Sequence, residues 1–175
     1  MINFEDIHYL QFGNVRQQAA YKVLVKYKVM ERLVAFDPLL AGTIPIGIDT
    51  PQSDLDIICC WKNKANFYDQ LLHQFSGYGH FSIKETNIDN CESIIACFRL
   101  DDFDVEVFGQ HIPSREQKAY RHMLVEYKLL LKYGEPFRQQ VLQLKQQGAK
   151  TEPAFAQLLN LPGNPYEALL QPHTS

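Results

Sequence analysis

Gly42-Thr43-Ile44-Pro45-Ile46-Gly47-Ile48-Asp49-Thr50-Pro51-Gln52-Ser53-Asp54-Leu55-Asp56-Ile57 is a turn-rich loop that runs into two carboxylates within an apolar segment. Side chains alternate between faces in an extended strand, so Asp54 and Asp56 point the same way. Two ionised carboxylates in a half-buried strand are costly unless a cation compensates them. Carboxylate oxygens suit hard divalent ions, which makes Mg²⁺ the expected partner. Gly42 and Thr43 stand at a strand-to-loop junction. A residue without Cβ lets backbone N–H groups approach an anion there, and the threonine hydroxyl adds a donor. Ser53 is available to cap the loop.

A pair of acids alone is a common solvated strand end, and a third acid turns it into a site. Phe103-Asp104-Val105-Glu106-Val107-Phe108 alternates so that Asp104 and Glu106 share one face and Phe103, Val105 and Val107 the other. Laid beside Asp54-Leu55-Asp56, this strand would bring three or four carboxylates together. Glu106, in mid-strand between valines, is the expected third ligand because it is hardest to justify there without a cation. Asp104, nearer the Asp101-Asp102 turn, is the alternative.

Outward from these strands the pattern is mixed. Apolar positions from Val15 to Val34 recur at three- and four-residue steps, predicting one amphipathic helix with Asn14 as N-cap, stopped by Asp37-Pro38. Leu39-Leu40-Ala41 reads as a buried strand and Asp54 to Trp61 as a second. A helix near Ala65 to Phe75 buries Phe67, Leu71, Leu72 and Phe75. Extended pieces follow at about 80–86, 91–100 and 103–108, separated by turn residues. Beyond Pro113 the chain turns wholly helical. Ser114 and Gln117 fit a capping box opening a helix to about Tyr133, Gly134 closes it, and further helices run over about 136–147, 151–159 and 166–170. On the first of these, Lys118, His122 and Glu126 recur at four-residue steps; they are low-grade candidates to orient phosphate or acceptor, as is His111, and a solvated helix face is the favoured reading of them. The fold class expected is α+β: a mixed sheet flanked by helices, followed by a C-terminal helical region. The division expected is a core over 1–112 and C-terminal helices over 113–175 packed on it as one cooperative unit.

At 175 residues, with 46% hydrophobic and 21% charged residues, the composition is that of a globular domain. A formal charge of -3 gives no global attraction to nucleic acid or an anionic membrane. No apolar run approaches the ~20 residues of a membrane span, and the N-terminus lacks a signal pattern, so a cytoplasmic location is expected. Cys59, Cys60, Cys91 and Cys97 form no zinc-type spacing and read as reduced, packed thiols.

The run Gly42-Thr43, Gly47, then Ser53-Asp54-Leu55-Asp56-Ile57, with Val105-Glu106-Val107 later, resembles the signature of the DNA polymerase β-like nucleotidyltransferase superfamily. The match covers about Leu39 to Phe108 and is most similar to the small kanamycin-type and minimal branches. Over most of its length the chain is also similar to an uncharacterised bacterial family with the Gly-Thr-Ile-Pro-Ile-Gly-Ile and Phe-Gly-Gln elements of residues 42–48 and 108–110. The resemblance implies a Mg²⁺-dependent transferase that moves NMP from an NTP such as ATP to an acceptor hydroxyl. Asp54, Asp56 and Glu106 would hold two Mg²⁺ (or Mn²⁺) about 4 Å apart, and Gly42, Thr43 and Ser53 would bind the nucleotide. The acceptor is open, a small molecule being favoured over protein or nucleic acid. Two departures are visible: Thr43 replaces the usual Ser or Gly, and Ile46 stands where minimal enzymes often carry an arginine, so a triphosphate-facing charge is expected to be missing. The alternative it leaves is a weak or inactive nucleotidyltransferase-fold module that binds nucleotide or a partner protein.

Overall fold

The computed structural model describes residues 2–171. Among these residues five strands form one mixed sheet in the order β1-β2-β5-β4-β3: β1 Leu39–Ala41, β2 Leu55–Cys60, β3 Ser82–Ile88, β4 Cys91–Leu100 and β5 Phe103–Gln110. Only β2 and β5 run parallel; the other neighbours are antiparallel. The parallel pairing sets Leu55 against Val105, Asp56 against Glu106 and Ile57 against Val107. Alternation then separates the faces. Leu55, Ile57, Val105 and Val107 join a core with α1 (Val15–Lys26) and α3 (Lys64–Phe75), including Leu24, Phe67, Leu71 and Phe75. Ile58 lies on the opposite face, in a second core with Met123, Leu130, Val141 and Phe155 from α4 (Lys118–Gln146) and α5 (Thr151–Leu158). Asp56 and Glu106 have the parity of Ile58, so they face the C-terminal helices.

The predicted helix from Asn14 to Val34 is broken. Its N-terminus is as expected: Asn14 caps the Gln17 amide and the Gln17 side chain accepts from the Asn14 amide, both at 2.9 Å. The helix stops at Lys26, Lys28 adopts φ 52°, and a four-residue α2 (Val29–Arg32) and a 3₁₀ turn (Val34–Phe36) follow. This break carries Val29, Leu33 and Phe36 into the core, a burial that outweighs the ~1–2 kcal/mol of one left-handed residue. Val15, expected inside, is 85% exposed.

The capping box at Ser114 and Gln117 also fails. Both side chains are buried and used across the fold instead: Ser114 Oγ donates to the Asp37 carbonyl at 2.5 Å, and Gln117 Nε2 donates to the carbonyls of Cys59 and Ile112 at 2.8 and 2.9 Å. Ser114–Glu116 is a 3₁₀ turn and α4 begins at Lys118. Gly134, at φ 73°, interrupts α4 where the sequence places a helix end, and Pro136 sits in the first turn of the second half. A short α6 (Pro165–Ala168) follows α5.

Candidate functional site

A cavity of about 700 Å³ lies between the β2–β5 face of the sheet and helices α4 and α5. Asp56 and Glu106 line it side by side, with Gly42 and Thr43 at the sheet end and His122, Glu126 and Glu152 on the helical wall. Among the described residues the side chains of Asp54, Asp56 and Glu106 make no hydrogen bond or ion pair. Burial raises the Asp56 carboxyl well above its ordinary range, and the charges of Asp54 and Glu106 add to it. Glu106 is also raised, by burial and then by Asp54, with Lys84 opposing. Adjacent oxygen donors left without a counter-ion have the donor chemistry of a hard-cation site. No three His, Cys, Asp or Glu side chains among the described residues are grouped so as to hold a metal ion as they stand. Asp104, the alternative to Glu106, is exposed and paired with Arg99 at 3.0 Å.

Gly42 has no substitute here. Its φ is +80°, and a Cβ would stand 2.0 Å from Asp56 Oδ2. The missing side chain is what lets the carboxylate lie against the turn. Gly47 also has positive φ, +67°, but its nearest neighbour to a Cβ would be 3.4 Å away. Gly42→Ala is therefore expected to lose about 2–4 kcal/mol, a backbone and a steric part together, and Gly47→Ala only about 1–2 kcal/mol. Urea unfolding of the two variants checks this; equal losses would mean Asp56 does not depend on the open space.

The loop between Gly42 and Asp54 is gripped by side chains far away in sequence. Gln17 Nε2 donates to the carbonyls of Ile44 and Pro45 at 2.9 and 3.0 Å, and Arg138 Nη1 to those of Ile46 and Gly47 at 2.6 and 3.0 Å. Lys145 Nζ donates to Ile48 O at 2.8 Å and Arg16 Nη2 to Ser53 O at 3.1 Å. Within the loop, Ser53 Oγ accepts from the Thr50 amide at 3.0 Å and lies 3.1 Å from Thr43 Oγ1. Either hydroxyl can be the donor in the Thr43–Ser53 pair, and Thr50 Oγ1 lies 3.4 Å from the same Ser53 Oγ. Ile46 is buried in the second core, so position 46 faces packing and not the cavity. The cations near this end come instead from α1 and α4. Burial lowers the pKa of Lys145, against the pull of Glu126, Asp49, Glu152 and Asp56.

On α4 the three candidates part company. Lys118 is exposed at the cavity rim and ion-paired with Asp89 at 2.7 Å. His122 is buried: its Nδ1 is 3.2 Å from Glu152 Oε1 and its Nε2 2.8 Å from the Tyr166 carbonyl, which ties α4 to α5 and α6. Burial opposes a charged ring, yet the bonds to Glu152 and the Tyr166 carbonyl outweigh it and raise the His122 pKa. Glu126 is buried one turn further on. His111 hydrogen-bonds the Trp61 carbonyl at 2.8 Å, away from these carboxylates in the sheet. Glu152 and Lys145 belong to the same cluster and were not singled out from sequence, because nothing local ties them to the strand acids.

The family model described as domain of unknown function DUF4269 matches residues 22–172. The chain belongs to this family. No curated protein matches the DUF4269 chain in sequence. Solved structures similar to it include the GLD-2/RNP-8 complex (TM-score 0.53, 15% identity, 82% of this chain and 56% of that one). Cid1, studied for its RNA terminal uridylyl transferase activity, gives a TM-score of 0.53 at 12% identity over 73% of this chain and 40% of its own. The Cid1 poly(U) polymerase with MgGTP bound gives 0.52 at 14% identity over 74% and 40%. The DUF4269 chain thus spans between 40% and 56% of the length of these structures. Identities this low establish the fold alone, and the fold is the nucleotidyltransferase-like α+β arrangement expected from sequence. Among the described residues no helix is long and apolar enough to cross a membrane.

Proposed function

We propose that this DUF4269 protein is a Mg²⁺-dependent nucleotidyltransferase that moves NMP from an NTP to an acceptor hydroxyl. The observation that carries the reading is the unpaired Asp56–Glu106 couple facing a cavity beside the open Gly42 turn. Asp54, Asp56 and Glu106 would hold the metal. Bound there, Mg²⁺ supplies Lewis-acid stabilisation of the acceptor oxygen and of the departing pyrophosphate. The chain's own part is positional. The Gly42 turn and the Thr43 hydroxyl donate to phosphate oxygens, Ser53 holds that hydroxyl's oxygen in place, and Gln17, Arg138 and Lys145 hold the loop still. The helical wall of α4 and α5 receives the acceptor, a small molecule in preference to a protein or nucleic acid. Residues 1–112 supply the nucleotide side and 113–175 the acceptor side of one cooperative unit, in the cytoplasm.

The second reading, a nucleotidyltransferase-fold module that binds nucleotide or a partner protein without turnover, is favoured by one observation: the carboxylates are not grouped for a metal as they stand. Incubation with α-labelled ATP, GTP, CTP or UTP and a metabolite extract separates the two. Label moving to an acceptor with pyrophosphate release, only when Mg²⁺ is present, is the result expected. Metal-dependent NTP binding without transfer would favour the module, and absence of both would sink both readings.

A further inference from the structure

Beyond the carboxylates the sheet floor of the cavity is mainly apolar. Phe108 follows Glu106 by two residues on β5, and Ile95 on β4 and Ile58 on β2 stand opposite it, so the three share the face of the acids. That row lies ~7 Å from the carboxylates at ~3.3 Å per residue. The same face continues along β4 to Cys91, six residues from the Cys97 that opposes Glu106, and Ile88 of β3 stands opposite Cys91. The floor therefore runs ~20 Å from the acids. These side chains, with Ile112, line the cavity. Among the described residues neither core includes Ile95 or Ile112, and Ile88 is 37% exposed. The fold leaves their apolar surface to the cavity.

The polar groups along this space are largely engaged. Gln110, midway along the floor, donates to Ser93 Oγ at 2.8 Å, and Gln117 Nε2 serves the Cys59 and Ile112 carbonyls. His122 is held by Glu152 and the Tyr166 carbonyl, and Lys118 is paired with Asp89 at the rim. A polyol would give up water there for few partners, whereas an apolar body gains by burial. Direction matters as well. The β1–β2 pairing sets Leu39 against Ile58 and Ala41 against Asp56, so the Gly42 turn lies on the side of Asp56 away from the apolar row. With the departing pyrophosphate at that turn, an in-line attack on the α-phosphorus comes from the opposite side, which is the apolar floor.

We propose that this floor holds an acceptor whose body is apolar: a phenol or aliphatic alcohol that lies along Phe108, Ile95 and Ile88 and points its hydroxyl at the Asp56–Glu106 end. Its oxygen would bond to the α-phosphorus as the bond from that phosphorus to pyrophosphate breaks, the hydroxyl proton passing to solvent. The acceptor role rests on the nucleotidyl-transfer reading; the apolar site itself stands on the lining of the cavity.

The test titrates 4-phenylphenol, and myo-inositol as its polar counterpart, into the full chain by NMR, with and without a non-hydrolysable NTP and Mg²⁺. Phenylphenol is expected to bind at least ~10-fold more tightly than inositol and to stay bound when the NTP is added. Ile88→Gln, at the exposed edge of the floor, is expected to lose at least ~3-fold of that affinity, whereas Val34→Gln, an exposed apolar residue outside the cavity, leaves it unchanged. Equal affinities for the two probes overturn the proposal, and that comparison needs only the wild-type protein, so it stands even where Ile88→Gln fails to fold. A folded Ile88→Gln variant that binds phenylphenol as well as wild type, or an equal loss in Val34→Gln, also overturns it. Displacement of phenylphenol by the NTP overturns the acceptor role and gives the floor to the nucleoside. Phenylphenol binding with no NTP binding sinks the nucleotidyltransferase reading and keeps the apolar site; the reverse sinks the apolar site alone.

Discussion

Replacing Asp54 and Asp56 together by asparagine is expected to lower Mg²⁺-dependent NTP affinity by at least ~100-fold, about 2.7 kcal/mol, and at the same time to raise the melting temperature of the ligand-free protein. The two effects have one cause. Asp56 carries a carboxyl pushed upward by burial and by the charges of Asp54 and Glu106, with no hydrogen bond or ion pair to offset it. Asparagine keeps the shape and removes the repulsion. Relief of about 1 kcal/mol would show as roughly 2–4 °C for a chain of this length. The same neutralisation takes away the charge a metal needs. Calorimetry with and without Mg²⁺, beside a thermal melt, reads both. NTP affinity equal in wild type and double variant would remove the metal from the mechanism; a lower melting temperature with unchanged secondary structure would mean the carboxylates are satisfied in a way the present geometry does not contain.

The parts of this site that were legible in the sequence are those set by short-range periodicity. Period two put Asp54 with Asp56 and Asp104 with Glu106, and the parallel β2–β5 pairing brought Asp56 and Glu106 into register. Period 3.6 put His122 and Glu126 on one side of α4, and both line the cavity. Lys118 fits the same period but lies at the first residue of the helix, where the wall opens to solvent and Asp89 of the β3–β4 turn meets it. What periodicity does not carry is partnership across the fold. Gln17 looks like a helix-cap residue and is one, yet its amide also holds the carbonyls of Ile44 and Pro45. Ser114 and Gln117 have the spacing of a capping box, but buried carbonyls of Asp37, Cys59 and Ile112 compete for the same hydrogens and win. Position 46 shows the same limit. Its isoleucine removes a charge from the loop, but the side chain belongs to the core, and Arg138 reaches that carbonyl from 92 residues away.

Between about pH 5 and pH 8 the ligand-free protein is expected to lose stability as the pH rises, and Glu126→Gln to remove the part of that loss that belongs to Glu126. Burial first, and the charge of Glu152 second, push the Glu126 carboxyl up to about 8 from an ordinary 4.5, against the opposing charges of His122 and Lys145. Across that window the native state keeps a proton that the unfolded chain releases, so the unfolding free energy falls with pH, by on the order of 4 kcal/mol in full. His122 acts in the same direction. Its pKa is raised in the fold, so its contribution is complete below the ordinary histidine value and lost as the pH climbs through the raised one. Glu152 runs the other way at the acid end: its pKa is lowered by the His122 bond, which outweighs burial, so its contribution is lost as the pH falls below the ordinary carboxylate range. Lys145, lowered by burial, regains some stability only towards the ordinary lysine range. Maximum stability therefore belongs on the acid side of neutrality. Glutamine at 126 cannot ionise, so the variant should lose less stability than wild type from pH 5 to pH 8, keeping the parts due to His122, Asp56, Glu106 and Asp49, and exceed wild type at pH 8. Urea unfolding of both proteins at one-unit steps decides it: parallel profiles would mean that Glu126 is solvated or partnered in solution.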